Sequence, residues 1–71
     1  MMEEKQGTIV EIIFHNNENG YTVAVFETEL VAFTAGGHLP SVGVGRIYVL
    51  RGNFIEHPTS GEQFAIKGFE E

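Results

Sequence analysis

Nowhere along the chain do apolar residues recur at i, i+3, i+4 and i+7 over three turns, and this absence removes helical bundles and α/β layers from consideration. What remains are short runs rich in Ile, Val, Phe and Tyr, separated by clusters of Gly, Asn and Pro. QGTIVEIIF (6–14) ends at HNNENG, where Gly20 tolerates positive φ. YTVAVFE (21–27) follows directly, so the two read as a hairpin with a loop of about five residues. The third run, LVAFTA (30–35), stops at GGHLPSVGVG, which is too rich in glycine for a stable helix. In the fourth, RIYVLRGNFIE (46–56), the central Gly52 predicts a bulge or a sharp bend. EQFAIKGF (62–69) is the fifth.

Five strands in 71 residues cannot bury two separate sheets, and a flat sheet would leave its edges open, so a coiled, partly closed barrel is the economical solution. The expectation is an all-β, five-stranded oligonucleotide/oligosaccharide-binding (OB) barrel over residues 6–69, with tails at 1–5 and 70–71. A glycine-rich loop, 36–45, stands where such barrels usually carry a helix between strands three and four. An SH3-like barrel competes on strand count. A chain of this length buries only ~60% of its unfolded surface, too little for a deep cleft with its own core. With no cysteine, neither disulfides nor thiolate metal sites hold it together, and apolar packing must suffice.

Ten acidic residues, all glutamate, face four basic ones, for a net charge of -6. The lack of aspartate excludes an aspartate-oriented histidine triad and the usual aspartate ligands of magnesium or calcium. Binding a polyanion gains much of its free energy from Lys and Arg releasing counterions, and only Lys5, Arg46, Arg51 and Lys67 are on offer. The start, MMEEKQGT, lacks the pattern of a signal peptide, and no apolar run approaches the ~20 residues of a membrane span. The expected location is the cytoplasm, with no membrane partner.

The sharpest catalytic-looking cluster is His57 with Glu56, Ser60 and Glu62, since histidine beside a carboxylate and a hydroxyl is what nucleophilic catalysis requires. Yet neighbours in an extended run point to opposite faces, which separates Glu56 from His57. Pro58, Ser60 and Gly61 are turn residues, so the stretch reads as a hairpin loop and no catalytic residue is assigned. His15, His38 and His57 lie in three different loops without the close spacing of zinc ligands, and no metal site is expected. The glycines of 36–45 match neither G-x-x-x-x-G-K-[ST] nor G-x-G-x-x-G, and no helix follows to receive a phosphate.

Phe14, Tyr21, Phe26, Phe33, Tyr48, Phe54, Phe64 and Phe69 are many rings for so short a chain. A barrel without tryptophan or cysteine needs most of them in its core, leaving two or three on which bases can stack. Tyr21, Tyr48 and Phe54 are the expected exposed rings. The glutamates are spread singly, as on a solvated surface.

Four motifs in order, NGYTV (19–23), HLPSVGVG (38–45), LRGNF (50–54) and HPTSGEQF (57–64), resemble the N-terminal OB-like domain of bacterial RecD-like DNA helicases, often described as exodeoxyribonuclease V alpha subunits. The residues that carry the likeness are Asn19, Gly20, Tyr21 and Thr22, then Leu39, Pro40, Val42 and Gly45, then Gly52 and Phe54, and finally His57, Pro58, Gly61, Gln63 and Phe64. They span residues 5–69. Where the family often has a basic residue and an aromatic after His-Pro, this chain has Thr59, Ser60 and Glu62, and Asn53-Phe54 replaces an acidic-tryptophan pair. Both differences take charge and ring area away from a DNA contact.

The resemblance implies a non-catalytic module excised from a much larger ATP-dependent helicase of DNA recombination and repair. ATP and magnesium would belong to that parent's motor domains, and this stretch itself would hold no cofactor. Its expected partners are other domains of the parent or a partner protein, with single-stranded DNA as a further candidate. A stand-alone single-strand-binding OB protein is the alternative. OB barrels place ligands on an open sheet face and in the loops after strands one and four, which nominates Asn16, Asn17, Tyr21, Arg51, Phe54, His57 and Thr59 as contact residues.

Overall fold

A computed structural model of the chain describes residues 2–59 and 61–71. Five strands, β1 (Glu3–His15), β2 (Tyr21–Glu27), β3 (Ala32–His38), β4 (Ile47–His57) and β5 (Gly61–Glu70), close into a barrel in the order β1-β2-β3-β5-β4. Neighbours are antiparallel except β3 and β5, which run parallel where Ala35, Gly36 and Gly37 face Phe64, Ala65 and Ile66. This is the OB architecture anticipated from the strand count, and the SH3-like alternative falls away. Closure gives most of the backbone amides and carbonyls a partner that a flat sheet would have left in water.

Several boundaries differ from the sequence reading. Glu3, Glu4 and Lys5, expected as a tail, form the start of β1, because the long β4 offers Gly52, Arg51 and Leu50 as partners. At the other end β5 runs to Glu70, opposite Val49. Leu30 and Val31, expected to begin the third strand, belong to the β2–β3 turn, where the Thr28 hydroxyl accepts from both of their amides at 3.2 Å. The Thr28 amide donates to the Val31 carbonyl at 2.8 Å and completes that turn. β3 then runs on through Gly36 and Gly37, into the segment that the sequence marked as loop. The reason is close approach: a Cβ on Gly37 would lie 2.7 Å from both the Cβ and the carbonyl oxygen of Ile66. Glycine lets β3 touch β5 there, so the residues that forbid a helix also close the barrel.

Ile9, Ala24, Phe26, Ala35, Leu39, Tyr48, Leu50, Phe64 and Ile66 form the core. Phe33 and Phe54 pack against it, with Phe54 edge-on to Phe33 and Phe64 at centroid separations of 5.1 and 5.0 Å. The segment 39–46 carries no helix, as the sequence indicated. Leu39 is fully buried instead, Val42 packs beside it, and the Tyr48 hydroxyl donates to the Ser41 carbonyl at 3.0 Å. Tyr48 was expected to show a face; it is 1% exposed, because its strand position points inward and its one polar atom finds a partner.

Two register shifts in β1, between Ile9 and Glu11 and between Ile12 and Phe14, decide what faces outward. Strict alternation from Ile9 would send Glu11 into the core, whereas each shift inserts one residue and resets the face. Ile9, Ile12 and His15 therefore turn inward. His15 meets the buried Thr22, with Nδ1 2.7 Å from the hydroxyl oxygen. That hydroxyl lies 3.1 Å from the Leu39 carbonyl and 3.3 Å from the Gly20 carbonyl and has a single hydrogen to give them. In its Nδ1–H tautomer His15 donates to this hydroxyl and leaves the threonine hydrogen for a carbonyl. One threonine thus ties the end of β1, the start of β2 and the segment after β3 together.

Candidate binding face of the barrel

Along β2, Thr22, Ala24 and Phe26 are buried, so Tyr21, Val23 and Val25 point outward. The shifts in β1 place Phe14 opposite Val23 and Glu11 opposite Val25 on the same outer surface. Phe14 is 50% exposed and Tyr21 43%, and their ring centroids are 6.4 Å apart. Val10 and Ile13, the residues inserted by the two shifts, are exposed as well. β3 adds Thr34 and Gly36, opposite Val25 and Val23. A Cβ on Gly36 would overlap the amide nitrogen of Gln63 and lie 3.2 Å from the Tyr21 hydroxyl. Gln63 and Tyr21 therefore converge over a bare stretch of β3 backbone. The result is an apolar shelf of one ring pair and two valines, with an amide and a phenol at one side and Glu11 at the other.

The loop after β1 borders this shelf and is held by its own side chains. Asn16 Oδ1 accepts from the amides of Glu18 at 2.8 Å and Asn19 at 3.3 Å, and Asn19 Oδ1 accepts from the Tyr21 amide at 2.9 Å. Gly20, at φ 75, donates to the Asn16 carbonyl at 2.8 Å. The His38 ring donates through Nδ1 to the Asn19 carbonyl at 3.1 Å, and the Leu39 amide to the Gly20 carbonyl at 2.9 Å. Tyr21 thus leaves a rigid turn at a fixed angle.

Of the residues nominated from sequence, Tyr21 lies on the shelf and Asn16 and Asn17 lie in the loop beside it, where the Asn16 side chain is occupied in shaping the turn. Arg51 and Phe54 sit on β4, which pairs with neither β2 nor β3. Phe54 belongs to the ring cluster at the core, with Lys5 Nζ 5.9 Å from its centroid. Arg51 bridges two strands, its Nε donating to Glu4 at 3.0 Å and its terminal nitrogen to Glu70 at 2.6 Å. These partners, Glu70 first, hold its guanidinium above its already high ordinary pKa, so it offers no pH switch. His57 and Thr59 are exposed at the β4–β5 turn, 3.4 Å apart through Nδ1 and the hydroxyl. His57 faces Gly61 across that turn, and Gly61 takes φ 80, the arrangement of a short hairpin. Ser60, the hydroxyl of the catalytic-looking cluster, lies outside the described residues. Phe14, Val23, Val25, Gln63 and Glu11 are shelf residues outside the nominations. The two shifts of β1 cancel at Phe14, which lies five places from the inward Ile9 and faces outward as plain alternation would have it.

Three of the four cations on the barrel are neutralised in pairs. Lys5 meets Glu3 at 3.3 Å, Arg46 meets Glu71, and Arg51 meets Glu4 and Glu70. Lys67 is left as the one cation without a carboxylate in ion-pair range among the described residues. The same residues hold no group of three His, Asp or Glu side chains placed to bind a metal ion.

The model of the OB-fold domain of the ATP-dependent DNA helicase YrrC matches residues 2–71. The chain belongs to this family. No curated protein and no solved structure matches it. The match spans all four sequence motifs, and the structure shows what several of their residues do. Within this OB domain, Asn19 and Gly20 shape the first loop, Thr22 and Leu39 lock it to the core, Gly52 lies at a register shift in β4, and Phe64 fills the barrel. Tyr21 and Gln63 are motif residues that also reach the outer shelf. Among the described residues of this helicase-family domain no helix is long and apolar enough to cross a membrane.

Proposed function

We propose that the domain is a non-catalytic docking module of a RecD-like DNA helicase acting in recombination and repair. Its Phe14–Tyr21 shelf seats another domain of that helicase, or a partner protein, in the cytoplasm. The observation that carries this reading is electrostatic. Three of the four cations are committed to glutamates, leaving Lys67 to answer a phosphate backbone, while the shelf exposes rings and aliphatic side chains beside Glu11. By the family's likeness to RecD-like helicases, ATP and magnesium are assigned to the motor segments of such a parent, and this sequence itself carries no phosphate-binding motif.

A second reading, a single-strand-binding module, draws on the same ring pair, because OB barrels stack bases on this sheet face. Fluorescence anisotropy of a labelled single-stranded oligonucleotide, titrated with the domain at low and at physiological salt, separates the two. The docking reading expects no saturable binding at either salt. Saturable binding that weakens steeply with salt, and is lost in Phe14→Ala and Tyr21→Ala, would replace it with the single-strand reading.

A further inference from the structure

The first half of β1 is paired on one side only. From Glu3 to Thr8 it runs against β4, but its pairing with β2 begins at Thr8 opposite Glu27, where β2 turns away. Ile9 donates to the Arg46 carbonyl and accepts from the Gly45 amide, so its polar groups face the β4 side. Ladder alternation then turns the amides and carbonyls of Gly7 and Lys5 toward β4 as well, and those of Gln6 and Glu4 the other way. No strand covers that second side among the described residues. It opens onto a groove of about 680 Å³ between Glu4–Thr8 on one wall and Glu27–Leu30 on the other. That volume falls in the range of ~300–1,000 Å³ typical of ligand sites. Leu30, 92% exposed, and Ile47 place apolar side chains along it.

We infer that this edge is a strand-addition site for an extended protein segment that alternates basic and apolar residues. Free backbone groups at Glu4 and Gln6 supply the ladder, as in other modes of β-augmentation. Charge selects the occupant. Glu4 and Lys5 already have partners in Arg51 and Glu3, whereas no cation lies against Glu27 or Glu29 among the described residues. A second copy of this chain is disfavoured for the same reason, since two such edges would bring Glu3, Glu4, Glu27 and Glu29 of both copies together. Charged residues along an open edge are how natural sheets discourage self-pairing. The site lies apart from the Phe14–Tyr21 shelf and stands whether or not that shelf docks a protein.

Backbone amide NMR tests it with the peptide acetyl-Lys-Val-Lys-Val-Lys-amide. Hydrogen exchange on the free domain should be fast at Glu4 and Gln6 and slow at Lys5 and Gly7. Titration should give saturable shifts at Glu4, Gln6 and the amides of Thr28–Leu30, and none at Phe14 or Tyr21. Methylating every peptide amide nitrogen, or replacing its lysines by glutamates, should weaken binding at least tenfold. Gln6→Pro removes one outward donor without touching the β4 ladder and should weaken binding as much while the thermal midpoint stays within a few degrees. If Gln6→Pro does not fold, the double change Glu27→Gln and Glu29→Gln replaces it, with the same loss expected. The inference is overturned by protected amides at Glu4 and Gln6, by shifts confined to the shelf, by no saturable shift, or by unaltered affinity in the folded variants. Self-association of the domain through the same amides would overturn it in favour of a second copy.

Discussion

Replacing Gly52 and Gly36 by alanine, one at a time, separates two reasons for a glycine in this barrel. A Cβ on Gly52 would overlap the carbonyl oxygen of Ala65 and lie 2.9 Å from its carbonyl carbon and 3.2 Å from the Lys67 amide nitrogen. All three atoms are backbone, held by the β4–β5 ladder where its register shifts between Arg51 and Gly52, so the methyl can be admitted only by separating the strands. Overpacking of this kind costs about 1–3 kcal/mol, and the upper end applies where no side chain can yield. A 71-residue domain has only about 4–11 kcal/mol of total stability, at roughly 0.05–0.15 kcal/mol per residue. At ~4–8 °C per kcal/mol for a domain of this size, Gly52→Ala should lower the thermal midpoint by about 12–24 °C. At Gly36 the overlapping atom is the amide end of the flexible Gln63 side chain. Rotation of that side chain relieves the clash, and the lost freedom of the unfolded chain offsets the remainder, for a net change within about 1 kcal/mol. Thermal unfolding followed by circular dichroism, with urea titration for the free energies, compares the two. If Gly36→Ala is as destabilising as Gly52→Ala, or if Gly52→Ala is within about 0.5 kcal/mol of the parent, the close-approach argument is wrong.

Thr22→Val should cost about 1–3 kcal/mol by urea unfolding, because it leaves His15 Nδ1 without its partner and the Leu39 carbonyl without its donor, whereas Thr22→Ser should restore most of that. Leu39→Ala should cost about 2–5 kcal/mol, the usual loss for a fully buried leucine, and would show that this residue fills the place of a helix. Phe14→Ala and Tyr21→Ala, which remove half-exposed rings, should shift the thermal midpoint far less than Leu39→Ala, yet on the docking proposal should abolish capture of the domain by the other segments of a YrrC-family helicase in a pull-down. Arg51→Met should change stability by no more than about 1 kcal/mol, since its pairs with Glu4 and Glu70 lie in solvent.

Much of the site was legible because turns and strands write themselves locally. Asn19 and Gly20 announce the first hairpin, and Pro58 with Gly61 the last, so the loops around Tyr21 and His57 stood where the sequence put them. What the sequence could not show is a residue's surroundings where they come from distant strands. Arg51 reads as a free cation until Glu4 and Glu70, both remote in sequence, arrive on either side. Tyr48 and Phe54 read as rings available for stacking until the closed barrel turns one fully inward and seats the other against Phe33 and Phe64.

The sequence by itself determined the class of fold, since β-rich runs punctuated by glycine and asparagine leave no room for a helix, and a short cysteine-free chain must close a single sheet to bury a core. It also determined the acidic balance, which weighs against a phosphate backbone before any coordinate is known. Only the tertiary structure decided which faces those strands present. Side-chain direction alternates with a period of two, so each register shift in β1 reassigns every residue after it, and a shift is fixed by the partner strand. That is why Glu11 faces outward and Ile12 inward, and pairing with β2 and β5 is likewise why Gly36 and Gly37 extend a strand where the local sequence reads as loop.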